Sequence, residues 1–330
     1  MNRPAVDRRL FLALAGALAM SRATAQQSEQ AAKPSPPPPP KALPETWTKA
    51  PSIALWPGSP PGASSFVPQP VPPDAPPVFL RNVSKPDLHV FRPANPNGHA
   101  LLVLPGGAYW FVSVANEGAD LAQRMTALGI TVFVLTYRLP GEGWTDRSKV
   151  PLQDAQRAMR VIRSNASKYG IDAHKVSVLG FSAGGHLAAT LATQHGEHTY
   201  EKVDAADELD PRPFSAGLVY PVVTMQREWT HEMSRKLLLG ESPSGADVAL
   251  RSAERHVSSS TPPSFLVHAC DDEAVPVENS LRFMNAMRAA KRPVEAHFLQ
   301  EGGHAFGVGR PNTPSAQWIS LFSTWLQRVS

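Results

Sequence analysis

Lys175-Val176-Ser177-Val178-Leu179-Gly180-Phe181-Ser182-Ala183-Gly184-Gly185-His186-Leu187-Ala188-Ala189-Thr190-Leu191-Ala192-Thr193 is the stretch from which the fold can be read. Its first third is a short apolar run bounded by glycine, the pattern of a strand covered on both faces. From His186 the apolar residues fall at helical spacing. Between them lies Gly-x-Ser-x-Gly, Gly180 to Gly184. Strand, tight glycine turn and helix is the context in which that pattern carries meaning. The glycines permit a turn too sharp for side chains and leave the Ser182 Oγ at its tip. A serine hydroxyl is a poor nucleophile alone and needs a base within hydrogen-bond reach.

Outward from this elbow the chain alternates. Apolar or alternating runs recur at 78–83, 88–91, 101–104, 131–137, 175–179, 216–220, 264–268 and 294–299. Stretches of helical spacing lie between the later ones, at 118–128, 152–169, 186–193, 278–290 and 315–327. Apolar runs separated by helices predict an α/β fold with about eight strands, mostly parallel, and helices on both faces. The first runs have no helix between them, so antiparallel pairing is expected at the start of the sheet. Residues 221–263 are long for one connection and should carry a helix near 233–239 and part of a lid or pocket wall.

The 330 residues are 42% hydrophobic and 18% charged, enough for one large domain with a real core. The start reads differently. Arg8-Arg9 precedes the apolar stretch 10–20, too short to span a bilayer, and Ala23-Thr24-Ala25 offers a cleavage site. Residues 1–25 are therefore expected to be a Tat-type signal, with a periplasmic or secreted destination. Residues 26–50, with prolines throughout 36–40, read as a Pro-rich disordered tether. Residues 51–77 read as an irregular segment packed on the domain, which runs from 51 to 330. Removing 1–25 takes away Arg3, Arg8, Arg9 and Arg22 against Asp7, and the net charge falls from +4 to +1. No basic patch argues for nucleic acid, and no membrane contact is expected beyond the signal. Cys270 is the only cysteine, so no intrachain disulfide is possible. The oligomeric state is not legible.

The base and its orienting acid should follow the serine in the order acid, then histidine. The run 264–268 ends in Asp271-Asp272-Glu273, and a strand's carboxyl end is where such sheets place active groups. The run 294–299 leads to Gly302-Gly303-His304, a histidine on a glycine-flanked loop. Three acids compete for the orienting role: Ser182 is read as nucleophile, His304 as base and Asp272 as orienter, with Asp271 read as a turn or cap residue or else as the acid itself, and Glu273 as solvated. After 101–104, the turn Pro105-Gly106-Gly107-Ala108 can aim backbone N–H groups at a developing oxyanion. The expected donors are Gly107, Ala108 and Ala183.

Tyr109 and Trp110, next along that turn, are candidate substrate contacts, as a stacking surface for a sugar ring; ordinary packing is the alternative. Trp144 and Trp229 are weaker candidates of the same kind. His186 is expected to pack or to lie at the surface, Asp154 and Arg157 to pair one helical turn apart, and Asp172 to cap a loop. Cys270 is read as a small apolar filler. His195 and His198 lack partners for a zinc site, and neither a metal nor another cofactor is expected.

Taken together, Gly106-Gly107-Ala108-Tyr109, Gly180 to Gly185, His268 to Pro276 and Gly303-His304 resemble the bacterial α/β-hydrolase acetylesterases, a group that includes acetyl xylan esterases. Leu55-Trp56-Pro57-Gly58 and Pro60-Pro61-Gly62 resemble the N-terminal segment of that group. Asp154, Arg157 and Gly170-Ile171-Asp172 resemble its helix before the nucleophile strand. The resemblance covers about residues 53–328 and puts Asp272 in the acid position of a His-Gly-x-x-Asp-x-x-Val-Pro pattern. This chain departs from it at Ala269, where glycine is expected, and from the lipase-type His-Gly-Gly-Gly turn at Pro105 and Ala108. Backbone donors survive both changes. The resemblance implies an α/β-hydrolase fold and a serine esterase that removes acetyl groups from a small-molecule or polysaccharide ester through an acyl-enzyme. Rival readings are a broad carboxylesterase or lipase, a serine peptidase of similar fold, and a non-catalytic binding module.

Overall fold

The computed structural model describes residues 38–329; the expected export signal at 1–25 and the tether up to residue 37 lie outside the described residues. Ten strands follow in order: β1 Ser52–Ala54, β2 Phe79–Leu80, β3 Asp87–Phe91, β4 Ala100–Leu104, β5 Val112–Ser113, β6 Thr131–Thr136, β7 Val176–Phe181, β8 Ala216–Val219, β9 Ser264–Ala269 and β10 Val294–Leu299. The helices are α1 Glu45–Lys49, α2 Asp120–Thr126, α3 Val150–Ser164, α4 Ala166–Tyr169, α5 Ser182–Gln194, α6 Glu232–Leu239, α7 Gly245–Leu250, α8 Glu278–Ala289 and α9 Trp318–Val329.

Eight strands form one sheet in the order β1-β3-β6-β4-β7-β8-β9-β10. β3 runs antiparallel to both β1 and β6, and every pairing from β6 to β10 is parallel. Parallel neighbours are linked through helices, as crossover connections require; β3 pairs antiparallel with β6, although β4, β5 and α2 lie between them in the chain. β4, β6, β7, β8 and β9 are buried at every position. Strands covered on both faces have no polar side, which is why they read as unbroken apolar runs. β10, at the edge, is only half-buried along its length. Helices α2, α5, α8 and α9 pack on the sheet, and α5 lies against β7, β8 and β4. This is the α/β-hydrolase arrangement.

The structure corrects several expectations. Only Phe79–Leu80 of the run 78–83 is extended, and it pairs with β5 in a separate two-stranded sheet. Asn82 turns left-handed (φ 55°) and gives its amide to the Glu142 carboxylate, so the strand cannot continue. β1 takes its place as the eighth strand of the main sheet. The domain also starts before residue 51. Within the expected tether, α1 carries a buried Trp47 that stacks on His89 with ring centroids 3.8 Å apart. The buried indole is the apolar contact that holds this helical turn on the domain.

Asp154 and Arg157 do not pair with each other. The Asp154 carboxylate receives the Trp56 indole N–H at 2.9 Å, the Arg138 backbone N–H at 2.9 Å and the Arg138 guanidinium at 2.8 Å. Arg157 instead pairs with Asp204 and Asp207 and donates to the Leu55 carbonyl. Both charges clip the Leu55-Trp56 segment to α3, and each adds a second segment, Arg138 for Asp154 and Asp204 with Asp207 for Arg157. Trp144 is not a surface platform: it is buried, 4.7 Å from the Phe66 ring and 5.0 Å from the Arg138 guanidinium. Trp229 is half-buried with the Arg282 guanidinium 5.4 Å over its ring. Cys270 is exposed rather than filling the core, because it sits past the end of β9. Among the described residues no helix is long and apolar enough to cross a membrane.

Candidate active site

The carboxyl ends of β4, β7, β8, β9 and β10 converge, and the residues just past them build the site. β7 passes directly into α5 at Ser182, whose φ of 51° puts a non-glycine residue in the left-handed region. That strain is what presents the side chain at the tip of the turn. Gly184 shows why the turn has no tolerance: a Cβ there would lie 2.1 Å from the Leu104 carbonyl oxygen and 2.4 Å from that of Pro105. The elbow therefore rests directly on the turn after β4.

His304, on the loop after β10, places Nε2 2.9 Å from the Ser182 Oγ. Its Nδ1 lies 2.6 Å from Asp272 Oδ2. A carboxylate accepts only, so Nδ1 carries the proton and Nε2 is left to accept from the serine hydroxyl. Asp272 is held in turn: Oδ1 receives the backbone N–H groups of Ala274 and Val275, both at 2.9 Å. Burial alone would raise its carboxyl. Hydrogen bonds from His268 and His304, the His304 charge and the Val275 amide outweigh burial and hold it well below the usual carboxylate range. Asp271 does not reach the imidazole; it accepts the Gly303 N–H at 2.8 Å and pins the histidine loop.

The turn after β4 lies against the elbow. A Cβ on Gly106 would sit 3.0 Å from the Ser182 Cβ. Gly107, Ala108 and Tyr109 all have positive φ (127°, 57° and 62°), a reversal that Gly107 alone can make without strain. A Cβ there would fall 2.1 Å from the Phe111 carbonyl oxygen. Ala183 stands in the first turn of α5, where backbone N–H groups have no intrahelical acceptor.

Tyr109 is not a substrate platform. Its ring is 1% exposed and its hydroxyl meets His186 Nδ1 at 2.8 Å, because the left-handed backbone turns it into the core. Trp110, the next residue, is 40% exposed. The Arg81 guanidinium lies 4.8 Å over its ring, and Arg81 Nε donates to its carbonyl at 3.1 Å. The long connection carries α6 and α7, and His231 at the start of α6 stands close enough to His304 and Asp272 to respond to their charges. Burial, then the His304 charge, lowers its pKa.

Three residues of this neighbourhood were given no role from sequence, although His268 opens the quoted His268 to Pro276 pattern. His268, at the end of β9, lies 3.2 Å from Asp272 Oδ2 and 2.8 Å from Ser280 Oγ. Glu117 is buried behind the turn after β4, and Tyr220 follows β8. A polar residue at the carboxyl end of a buried strand was the available signal for His268 and Tyr220. Glu117 lies among small residues with no motif around it. His195 and His198 make separate local contacts, to the Ala192 carbonyl and Glu201. Among the described residues, no group of three or more His, Cys, Asp or Glu gathers as a metal site.

A family model described as BD-FAE matches residues 88–287. The chain is 31% identical over 258 residues to an acetylxylan esterase of Xylanibacter ruminicola, covering 76% of this chain and 50% of that one. It is 38% identical over 208 residues to endo-1,4-beta-xylanase B of Butyrivibrio fibrisolvens, covering 63% of this chain and 32% of that one. It thus spans a third to a half of the length of these relatives. A crystal structure of an acetyl ester-xyloside bifunctional hydrolase from Caldicellulosiruptor lactoaceticus superposes with a TM-score of 0.70 at 34% identity, covering 82% of this chain and 97% of that one.

Proposed function

The chain belongs to the BD-FAE family, and from that premise we propose that it is an exported serine esterase that removes short acyl groups, acetyl above all, from carbohydrate such as acetylated xylan or xylo-oligosaccharides. The observation that carries this reading is the unbroken hydrogen-bond line from Ser182 Oγ through His304 to Asp272. The similarity to an acetylxylan esterase and to an acetyl ester-xyloside hydrolase supports the acyl group and the sugar.

In the proposed reaction, His304 Nε2 takes the Ser182 proton as Oγ attacks the ester carbonyl. The developing oxyanion is held by the N–H groups of Gly107, Ala108 and Ala183. Asp272 keeps the imidazolium oriented. His304 then gives its proton to the departing sugar oxygen, which leaves as a hydroxyl, and the acyl group remains on Ser182. A water, deprotonated by the same Nε2, attacks the acyl-enzyme; collapse of the second tetrahedral species releases the carboxylic acid and restores Ser182. Residues 1–25 would deliver the enzyme to the periplasm or beyond.

A fluorophosphonate probe should label the wild type and not Ser182→Ala; an unlabelled wild type refutes the serine mechanism. Initial rates on acetylated xylan and on 4-nitrophenyl acetate, butyrate and octanoate test the acyl group. Octanoate cleaved fastest, with no acetate released from xylan, sinks the acetyl reading. Replacing Arg8-Arg9 by lysines should block appearance of the protein outside the cytoplasm; unchanged export refutes the Tat route.

A further inference from the structure

Glu117 and Tyr220 belong to no part of the mechanism above, yet they join its two halves. The Glu117 Oε2 accepts the Gly106 N–H at 2.7 Å, immediately before the proposed oxyanion donors. Its Oε1 accepts the Tyr220 hydroxyl at 2.8 Å. The same hydroxyl oxygen accepts the Gly307 N–H at 3.0 Å, on the loop that carries His304. The Tyr220 ring lies edge-on to the His304 ring, with centroids 4.9 Å apart.

We propose that Glu117 and Tyr220 form a buried positioning pair that locks the oxyanion turn and the His304 loop to each other, an inference that rests on the roles given above to Ser182, His304 and Asp272. Two features of the backbone mark these positions independently. Glu117 sits in a π-helical turn, Ala115–Ala119, a geometry that is rare and frequent at functional sites. Tyr220 has a φ of 37°, a conformation a bulky residue adopts only when its surroundings impose it.

The chemistry of the pair fits positioning better than stability. A buried carboxylate bonded to an amide and a phenol is a poor source of folding energy compared with an apolar side chain of similar volume. Burial pushes the Glu117 carboxyl up, while the Tyr220 and Gly106 hydrogen bonds and the nearby His304 charge act against burial. What the carboxylate supplies is two directed acceptors, one for the Gly106 turn and one for the Tyr220 hydroxyl that in turn holds Gly307. Gly307 is fixed from its other side as well, since the Trp318 indole donates to its carbonyl at 3.0 Å. The turn and the histidine loop thus share one rigid link through groups that touch neither substrate nor nucleophile.

The test uses Glu117→Gln and Tyr220→Phe in the full chain. Active sites are titrated to completion with a fluorophosphonate probe, and kcat and KM for 4-nitrophenyl acetate are expressed per labelled site. Each variant should lose about 10- to 100-fold in kcat, the scale of a misplacement near 1 Å, with KM little changed. The double variant should fall no further than the worse single one, because both break the same link. A wild-type kcat per labelled site in both variants, with only the labelled fraction and thermal midpoint reduced, overturns the inference. So does a rise in KM at constant kcat. Should Glu117→Gln fail to fold, Tyr220→Phe decides alone, since it removes only the shared hydroxyl. A wild type that takes no label refutes the acyl-enzyme reading itself and this inference with it; a labelled, active wild type with unaffected variants refutes only the pairing.

Discussion

His186 lies one helical turn past Ser182 and is fully buried. Its Nε2 is 2.7 Å from the Arg251 carbonyl oxygen, which can only accept, so Nε2 carries the proton. Nδ1 accepts the Tyr109 hydroxyl at 2.8 Å. The ring is therefore neutral, and it ties the elbow helix to the oxyanion turn on one side and to the connection containing α7 on the other. Burial lowers its pKa from 6.5 to about 4; the hydrogen bond to the Arg251 carbonyl opposes this and the Arg251 charge adds to it. Between those two values the unfolded chain binds a proton that the folded protein refuses. Stability is therefore fully present above pH 6.5 and falls as the pH drops toward 4. At about 1.36 kcal/mol per pH unit the whole window is worth about 3 kcal/mol, and by pH 5 about 2 kcal/mol of it is gone.

Urea unfolding at pH 7 and pH 5 measures this if the wild type is compared with His186→Gln. Glutamine can still donate to the Arg251 carbonyl and accept from Tyr109, but it does not titrate. His89, His99, His195 and His231 are also lowered, each first by burial, so the wild type should weaken by more than His186 alone explains. Those groups are common to both proteins. Asp272 adds nothing in this window, since a depressed carboxyl costs stability only as the pH falls toward and below 3.8. The wild type should thus lose about 2 kcal/mol more than the variant between pH 7 and pH 5. Equal losses would refute the reasoning, because His186 would then already be charged in the folded state.

Asp154→Asn should destabilise by about 3–5 kcal/mol in urea titration, since it leaves the fully buried Arg138 without its counter-charge; a loss below about 1 kcal/mol would show that Gln153 and the Pro61 carbonyl suffice to hold the guanidinium. Trp47→Ala should cost about 3 kcal/mol, as for a core tryptophan, with the N-terminal turn opening first in hydrogen exchange; an unchanged unfolding midpoint would return residues 45–49 to the tether. Trp110→Ala should lower kcat/KM on acetylated xylo-oligosaccharide up to about tenfold while sparing 4-nitrophenyl acetate. Equal losses on both esters would remove stacking as the role of that ring.

What the sequence made legible was local. The elbow and the runs that mark strands and helices depend on residue types at short spacing, and the acid and the histidine are legible as polar residues just past such runs. Position after β9 alone leaves Asp271 and Asp272 as competitors, and the family pattern is what selects Asp272; in the structure the loop after β9 turns Asp272 to His304 Nδ1 and Asp271 to the Gly303 N–H. Tyr109 and Trp110 form a second such pair. Both are aromatic on one turn, and the positive φ at Ala108 and Tyr109 sends one ring into the core and leaves the next at the surface. Asp154 and Arg157 have the spacing of a helical ion pair, but each has partners far along the chain that compete better. For the triad acid and the ion pair the deciding partner lies elsewhere in the chain; for the two aromatics it is the local backbone twist, which residue types alone do not reveal.

The same limit explains why Glu117 was silent. Its significance lies in touching Gly106 and Tyr220, which are 11 and 103 residues away. The elbow itself is legible because its steric demands are met within a few residues, yet even there a long-range contact sets the tolerance. Gly184 must be glycine because the Leu104 and Pro105 carbonyls, from a different strand, occupy the space of a Cβ. That close approach brings the turn carrying Gly107 and Ala108 beside the proposed nucleophile. The two motif glycines thus divide the work: a Cβ on Gly180 would strike the Gly184 carbonyl across the elbow, and bare Gly184 lets a second strand end come near enough to serve the oxyanion. A Gly184→Ala chain would have to displace that strand end, which is why the pattern and the oxyanion turn stand or fall together.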